Sequence, residues 1–226
     1  MQYVIGIDEV GRGPLAGPVV VAAVLIPANF RPRRAGRRLR LRDSKQLTTI
    51  QRELWREYLI SHPRVKYAIA MVQPKTIDEI NISEAANEAA CKALCKVVSA
   101  LPANSHELAG VYLDGGLYLK KLRYSRKRMA EYREEVALST RKLRVLANTI
   151  VKGDEKITAI KIASILAKVH RDRLMVRLAK QYPGYGFERH KGYGTRGHYK
   201  AIRTLGVSKV HRLTFVDKSV ILDSKF

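Results

Sequence analysis

Four acidic residues hold the chemistry this sequence could perform. Asp8 and Glu9 follow the apolar run YVIGI, Asp114 follows GVYL, and Asp154 follows TIVKG. A carboxylate at the end of a buried strand is costly to desolvate unless it is paired or binds a cation. If these strand ends are neighbours in one sheet, the carboxylates converge and repel one another, and a hard divalent cation relieves that cost. Mg²⁺ and Mn²⁺ prefer oxygen ligands. Two such ions ~3.5 to 4 Å apart can activate a water and stabilise a departing oxyanion in phosphodiester cleavage. An isolated Asp at a strand end is more often a turn former or a helix cap, and Asp114 or Asp154 taken singly fits that reading. The pair Asp8-Glu9 does not, because consecutive strand residues point to opposite faces. Gly11, Gly13, Gly115, Gly116 and Gly153 lie beside these acids and permit close approach of backbone to a ligand.

The elements that must position these acids follow from local pattern. Tyr3 to Asp8 and Val19 to Ile26 read as β-branched, apolar strands separated by the turn-rich GRGPLAGP. Thr48-x-x-Gln51 is a capping-box match that starts a helix bearing Leu54, Trp55, Tyr58 and Leu59. Lys66 to Gln73 alternates like a strand, and Ser83 to Ser99 has apolar residues at helical spacing with Ser83 as its cap. Val111 to Leu113 and Val145 to Val151 are further strands. Between them, 121 to 144 is charged and helix-prone and reads as an exposed insertion. Ile157 to Gln181 is the longest helix pattern. Strands separated by helices indicate an α/β sheet, although the first strands also fit an antiparallel meander. The tail after Tyr182, rich in Gly, aromatic and basic residues, is expected to wrap back over the core.

Composition bounds the function class. The chain has 226 residues, 46% hydrophobic, with 43 Lys and Arg against 20 Asp and Glu and a net charge of +23. That length suits one domain with a small C-terminal appendage, and the apolar content excludes disorder throughout. The longest apolar run, Val19 to Ile26, falls far short of the ~20 residues of a membrane span. Asp8 and Glu9 directly behind Tyr3 to Ile7 argue against a secretory signal, so a cytoplasmic protein is expected. Cys91 and Cys95, four apart on one helix face, read as buried or half-buried thiols. The charge calls for a polyanion, most commonly nucleic acid. It is concentrated in residues 31–42, with seven Arg and no acid, and 120–144, with ten basic and three acidic residues. Gly192-x-Gly194-x-x-Gly197 formally fits a dinucleotide fingerprint but follows Arg189-His190-Lys191 and not a buried strand.

The block IGIDEVGRGPLAGPVVVAAV at positions 5 to 24 resembles the ribonuclease HII family. Further blocks match in the family's order: Asp43-Ser44-Lys45-Gln46-Leu47, Ile77-Asp78 with Asn81-Ile82, Tyr112-Leu113-Asp114-Gly115, Lys152-Gly153-Asp154, Ala163 to Val169 with Arg171-Asp172, His190 to Thr195, and His211-Arg212. The resemblance implies an α/β RNase H-like fold, a mixed five-stranded sheet flanked by helices with a C-terminal helical portion. The catalytic domain would span 1–181, with a basic insertion at about 116–145, and 182–226 would pack on it. It implies metal-dependent hydrolysis of the RNA strand of an RNA–DNA hybrid and incision 5′ of a single ribonucleotide in duplex DNA, leaving 5′-phosphate and 3′-hydroxyl ends. The family's four carboxylates fall on Asp8, Glu9, Asp114 and Asp154, ligands of Mg²⁺ or Mn²⁺, two ions with substrate bound. Gly11, Arg12 and Gly13 match the motif that contacts the ribose, and Tyr193 the tyrosine that stacks on the next sugar. Ser44 and Lys45 match positions near backbone phosphates.

The insertion between Asp114 and Asp154, longer than the family's pattern, and Lys161-Ile162, where small residues are usual, are departures. His190 and His211 read as structural histidines. A monomer is expected, and the C-terminal LDSKF does not identify a sliding-clamp peptide. The rival enzyme is a ribonuclease HIII-like general hybrid nuclease. That group usually has an extra N-terminal domain, for which a catalytic block beginning at residue 8 leaves no room. The rival outside enzymes, a non-catalytic basic nucleic-acid-binding protein, gives no reason for acids behind apolar runs.

Overall fold

A computed structural model describes residues 1–32, 40–100, 108–119 and 147–217. Its centre is one five-stranded sheet in the order β3-β2-β1-β4-β5. The strands are β1 (Tyr3–Val10), β2 (Val19–Pro27), β3 (Lys66–Val72), β4 (Leu108–Asp114) and β5 (Ala147–Ile150). β1, β2 and β3 form the antiparallel meander that the first runs allowed, while β4 and β5 add parallel to β1. The sheet is thus mixed. Every residue of β2 is buried. Its Val19, Val21, Ala23 and Leu25 enter one apolar cluster and its Val20, Ala22, Val24 and Ile26 another, as period-two alternation requires of a strand covered on both faces.

Seven α-helices complete the described chain: α1 (Thr49–Ser61), α2 (Pro74–Ile80), α3 (Ile82–Val98), α4 (Gly153–Lys156), α5 (Thr158–Gln181), α6 (Phe187–His190) and α7 (Arg196–Leu205). The alanine-rich α3 covers one face of the sheet, and α5, backed by α1, covers the other. Thr48 and Gln51 form the expected capping box, each side chain accepting from the other's backbone amide. The cap of α3 is Asn81 and not Ser83. Asn81 sits at φ 65°, which a short amide side chain tolerates, and its Oδ1 accepts from the amides of Ser83 and Glu84. Cys91 is buried and Cys95 half-buried on this helix, with no disulfide between them.

α5 lies against β1 at Gly6, where a Cβ would stand 2.2 Å from the carbonyl carbon of Ala159. Only glycine admits the helix start this close to the strand. Ile162 is fully buried in the cluster under α5, and half-exposed Lys161 donates to the Glu155 carbonyl, so both departures there are accommodated. A third apolar cluster joins Leu15 and Ala16 to Met175, Tyr185, Phe187, Ile202 and Val216, so the described residues beyond Tyr182 pack against the β1–β2 loop. The basic insertion at 120–144 and most of 31–42 fall outside the described residues. Among the described residues no helix is long and apolar enough to cross a membrane.

Candidate active site

The pairing of β1 with β4 ends at Ile7 opposite Leu113, while β1 runs on to Val10 paired only with β2. A notch therefore opens beside Asp8 and Glu9. Asp114, the last residue of β4, stands at its edge. Although Asp8 and Glu9 leave the strand on opposite sides, the missing neighbour lets both carboxylates reach round into the notch. Oxygens of Asp8, Glu9 and Asp114 all lie within 4.8 Å of one another.

Each member is held from a different element. Asp8, 5% exposed, accepts from its neighbour's amide, Glu9 N, at 2.8 Å and from the hydroxyl of Ser164 on α5. The Ser164 Oγ lies 2.8 Å from Ser44 Oγ. With Asp8 ionised, Ser164 donates to it, so Ser44 must donate to Ser164. Ser44 is thereby turned inward, buried, as a support for Asp8. The Oε1 of Glu9 faces Arg12 Nη1 at 3.5 Å, and the same guanidinium reaches the Gly116 carbonyl and Ser83 Oγ. Asp114 Oδ1 accepts from Gly153 N at 2.7 Å. That amide is aimed by Lys152, which takes the left-handed conformation at φ 55°.

Asp154 does not end a strand. It lies in the first turn of α4, 3% exposed, and its Oδ2 accepts from Lys45 Nζ at 3.2 Å. It stands outside the group of three converging acids and is neutralised by a lysine. Burial acts to lower the pKa of the Lys45 ammonium, but its hydrogen bond to Asp154 and the charges of Asp154, Asp43 and Asp8 outweigh it, and the net shift is upward.

The electrostatics are those of a cation site. Burial, then the neighbouring Glu9, raises the Asp8 carboxyl well above the usual range. Burial likewise raises Glu9 to about 7, against the pull of Arg12. The Oε2 of Glu9 is buried with no hydrogen-bond partner. An orphaned buried carboxylate oxygen is expensive, and a hard divalent ion among oxygen donors is the species that would satisfy it. The donor set therefore fits Mg²⁺ or Mn²⁺.

Comparison with known proteins agrees with this geometry. The family model described as Ribonuclease HII matches residues 5–218. A ribonuclease HII of Pelodictyon phaeoclathratiforme is 44% identical over 213 residues, covering 94% of this chain and 88% of that protein. The chain belongs to the ribonuclease HII family. Among solved structures, the ribonuclease H2 of Pyrococcus horikoshii OT3 is 29% identical, with a TM-score of 0.60 over 99% of this chain and 97% of that one. Bst-RNase HIII in complex with Mn²⁺ shares the fold at 21% identity, with a TM-score of 0.69 over 99% of this chain and 70% of that one. The RNase H-like mixed sheet read from the sequence is the fold of these relatives.

The glycine loop is anchored by two buried arginines, Arg171 and Arg212. Arg212, fully buried, donates to the carbonyls of Gly11 at 2.6 Å, Arg12 at 2.8 Å and Gly17 at 2.9 Å. Arg171, also fully buried, donates to Ala16, Pro18 and Lys191. It packs so tightly under Gly11, at φ +89°, that a Cβ there would meet its Nε at 2.2 Å. Buried guanidiniums that each donate to three carbonyls fix the peptide planes of the loop. Tyr193 is 43% exposed, and its ring edge lies 3.9 Å from where a Cβ of Gly13 would be. Gly11, Arg12, Gly13 and Tyr193 thus form one surface beside the acidic notch. The family-matching blocks contain the arginines and Ser164, but sequence alone assigns none of them a role, because their acceptors are far away along the chain.

Proposed function

We propose that this protein is a metal-dependent endonuclease that hydrolyses the RNA strand of RNA–DNA hybrids and incises on the 5′ side of single ribonucleotides embedded in duplex DNA. The observation that carries the reading is the convergence of Asp8, Glu9 and Asp114 in a notch where Glu9 Oε2 has no partner. When bound there, Mg²⁺ or Mn²⁺, two ions with substrate in place, would supply an activated water and neutralise the departing oxygen, leaving 5′-phosphate and 3′-hydroxyl ends.

The chain's own groups do the rest. Ser44 and Ser164 orient Asp8, Arg12 orients Glu9, and the Gly153 amide orients Asp114. Lys45, whose side chain is largely exposed while it holds Asp154, is within reach of a backbone phosphate as a point charge. On the same reading Asp154 completes the ligand set when Lys45 turns to phosphate. The 2′-hydroxyl distinguishes ribose from deoxyribose. The rigid Gly11-Arg12-Gly13 loop offers its backbone to that group, and Tyr193 stacks on the sugar that follows, favouring one without a 2′-hydroxyl. All of these groups come from one chain, which suits a monomer acting on hybrid or ribonucleotide-containing duplex.

The test is a labelled duplex carrying one ribonucleotide, incubated with Mg²⁺ or Mn²⁺ and with EDTA. Incision 5′ of the ribonucleotide only with the ion is expected. Cutting confined to runs of consecutive ribonucleotides would favour a general hybrid nuclease. No cutting of either substrate, with binding retained, would leave only a binding protein.

A further inference from the structure

Three histidines lie behind Tyr193 in a connected network, and their protons can be assigned from their partners. The Tyr193 carbonyl can only accept, so His198 donates to it through Nδ1, at 2.9 Å. The His198 Nε2 must then be a lone pair, and His211 Nε2, 3.1 Å away, donates to it. This leaves His211 Nδ1 to accept from the Ser208 amide and hydroxyl, both at 2.9 Å. His190 donates through Nε2 to the Tyr185 carbonyl and accepts from the Gly192 amide at Nδ1. Its ring stacks on His198 at 4.4 Å between centroids, and Phe187 meets both edge-on.

Every ring is neutral in this pattern, and a second proton on His198 or His211 would set N–H against N–H. Burial lowers both His198 and His211 to about 4, which keeps that pattern intact at neutral pH. The network also joins two parts of the site. His211 bridges Ala16 and precedes Arg212, the residue that holds Gly11 and Arg12, while His198 holds Tyr193. The Gly192 carbonyl accepts from the Leu15 amide beside it.

We propose that His198 and His211 are positioning residues that fix Tyr193 against the Gly11–Gly13 loop, so that this relay sets the discrimination for a lone ribonucleotide. The inference rests on the reading of Tyr193 as the sugar contact. His198→Leu removes the donor to Tyr193; His198→Asn keeps an N–H near the position of Nδ1 while breaking the link to His211. The full chain is assayed on a single-ribonucleotide duplex and on a continuous RNA–DNA hybrid, with thermal unfolding as a control.

His198→Leu is expected to lower single-ribonucleotide incision about tenfold more than hybrid cleavage, and His198→Asn to recover most of that difference. Combined with Tyr193→Ala, His198→Leu should cost the single-ribonucleotide reaction nothing further. Should His198→Leu not fold, His211→Phe, which strips the proton donor from His198 Nε2, is expected to lower the same ratio. Equal losses on both substrates, or additive losses with Tyr193→Ala, would overturn the relay. Tyr193→Ala leaving the ratio unchanged would instead overturn the sugar-contact reading itself.

Discussion

Asp114 separates charge from shape. Its Oδ1 accepts from the Gly153 amide, a bond that an asparagine carbonyl can also accept, so Asp114→Asn keeps the β4 end in place and removes one negative charge from the notch. On the proposed mechanism the ions would contribute several kcal/mol to the transition state, and each 1.36 kcal/mol is tenfold in rate. We expect cleavage to fall by roughly 100-fold or more with duplex binding retained; unchanged turnover would take Asp114 out of the reaction. The protons on Asp8 and Glu9 give a second expectation. Glu9 is raised to about 7 and Asp8 is raised in the same direction, so between their ordinary values and pH ~7 the folded protein binds more protons than the unfolded chain. Without ions, their contribution to stability therefore falls as pH rises through that window. An ion must displace those protons. The gain in melting temperature on adding Mg²⁺ should accordingly be small at pH ~5.5 and grow through pH ~7. A gain independent of pH would mean that the ion binds elsewhere.

Elements place these residues, and β1 and α5 approach each other closely at Gly6. In Gly6→Ala the new Cβ would lie 2.2 Å from Ala159 C and 2.3 Å from Ile160 N, both backbone, so only a shift of the helix start relieves it. Overpacking of this kind costs ~1–3 kcal/mol or more, which for a chain this size is a fall of roughly 2–12 °C in melting temperature. Because α5 carries Ser164, the same shift should weaken cleavage at 25 °C, where the variant is still folded. A normal melting curve would show that the helix yields without cost. Which elements were legible follows the same logic of distance. The capping box at Thr48 is local chemistry and reads directly, as does the alternation of β2. The cap of α3 was misplaced by two residues because Asn81 reaches a positive φ that a pattern of apolar positions does not reveal. Asp154 read as a strand end because a one-turn helix after a left-handed lysine leaves no periodic trace. Arg171 and Arg212 stood in family-matching blocks without a role, because their acceptors in the glycine loop lie more than 150 residues away along the chain.

At the scale of the whole molecule, a chain of net charge +23 carries a small negative notch. On the proposed reading the two charges serve different partners: the notch would draw divalent ions at close range, and the positive excess a polyanion from farther away. Segments 31–42 and 120–144 each contribute +7 of the total, while the three converging acids found among the described residues, Asp8, Glu9 and Asp114, come from the ends of β1 and β4. They should therefore act on binding and not on chemistry. Each phosphate neutralised by a Lys or Arg contributes about −0.9 to the slope of log K against log salt. Replacing Arg33, Arg34, Arg37 and Arg38 by Gln is expected to flatten that slope by up to about 3.6 for a ribonucleotide-containing duplex. Cleavage of the bound duplex at saturation and low salt should stay within about twofold of the parent, since Asp8, Glu9, Asp114 and their supports are untouched. A parent-like salt slope would remove residues 31–42 from the duplex interface. A loss of turnover at saturation would instead mean that the arginine-rich segment shapes the site, and that charge and chemistry are not divided between surface and notch in this molecule.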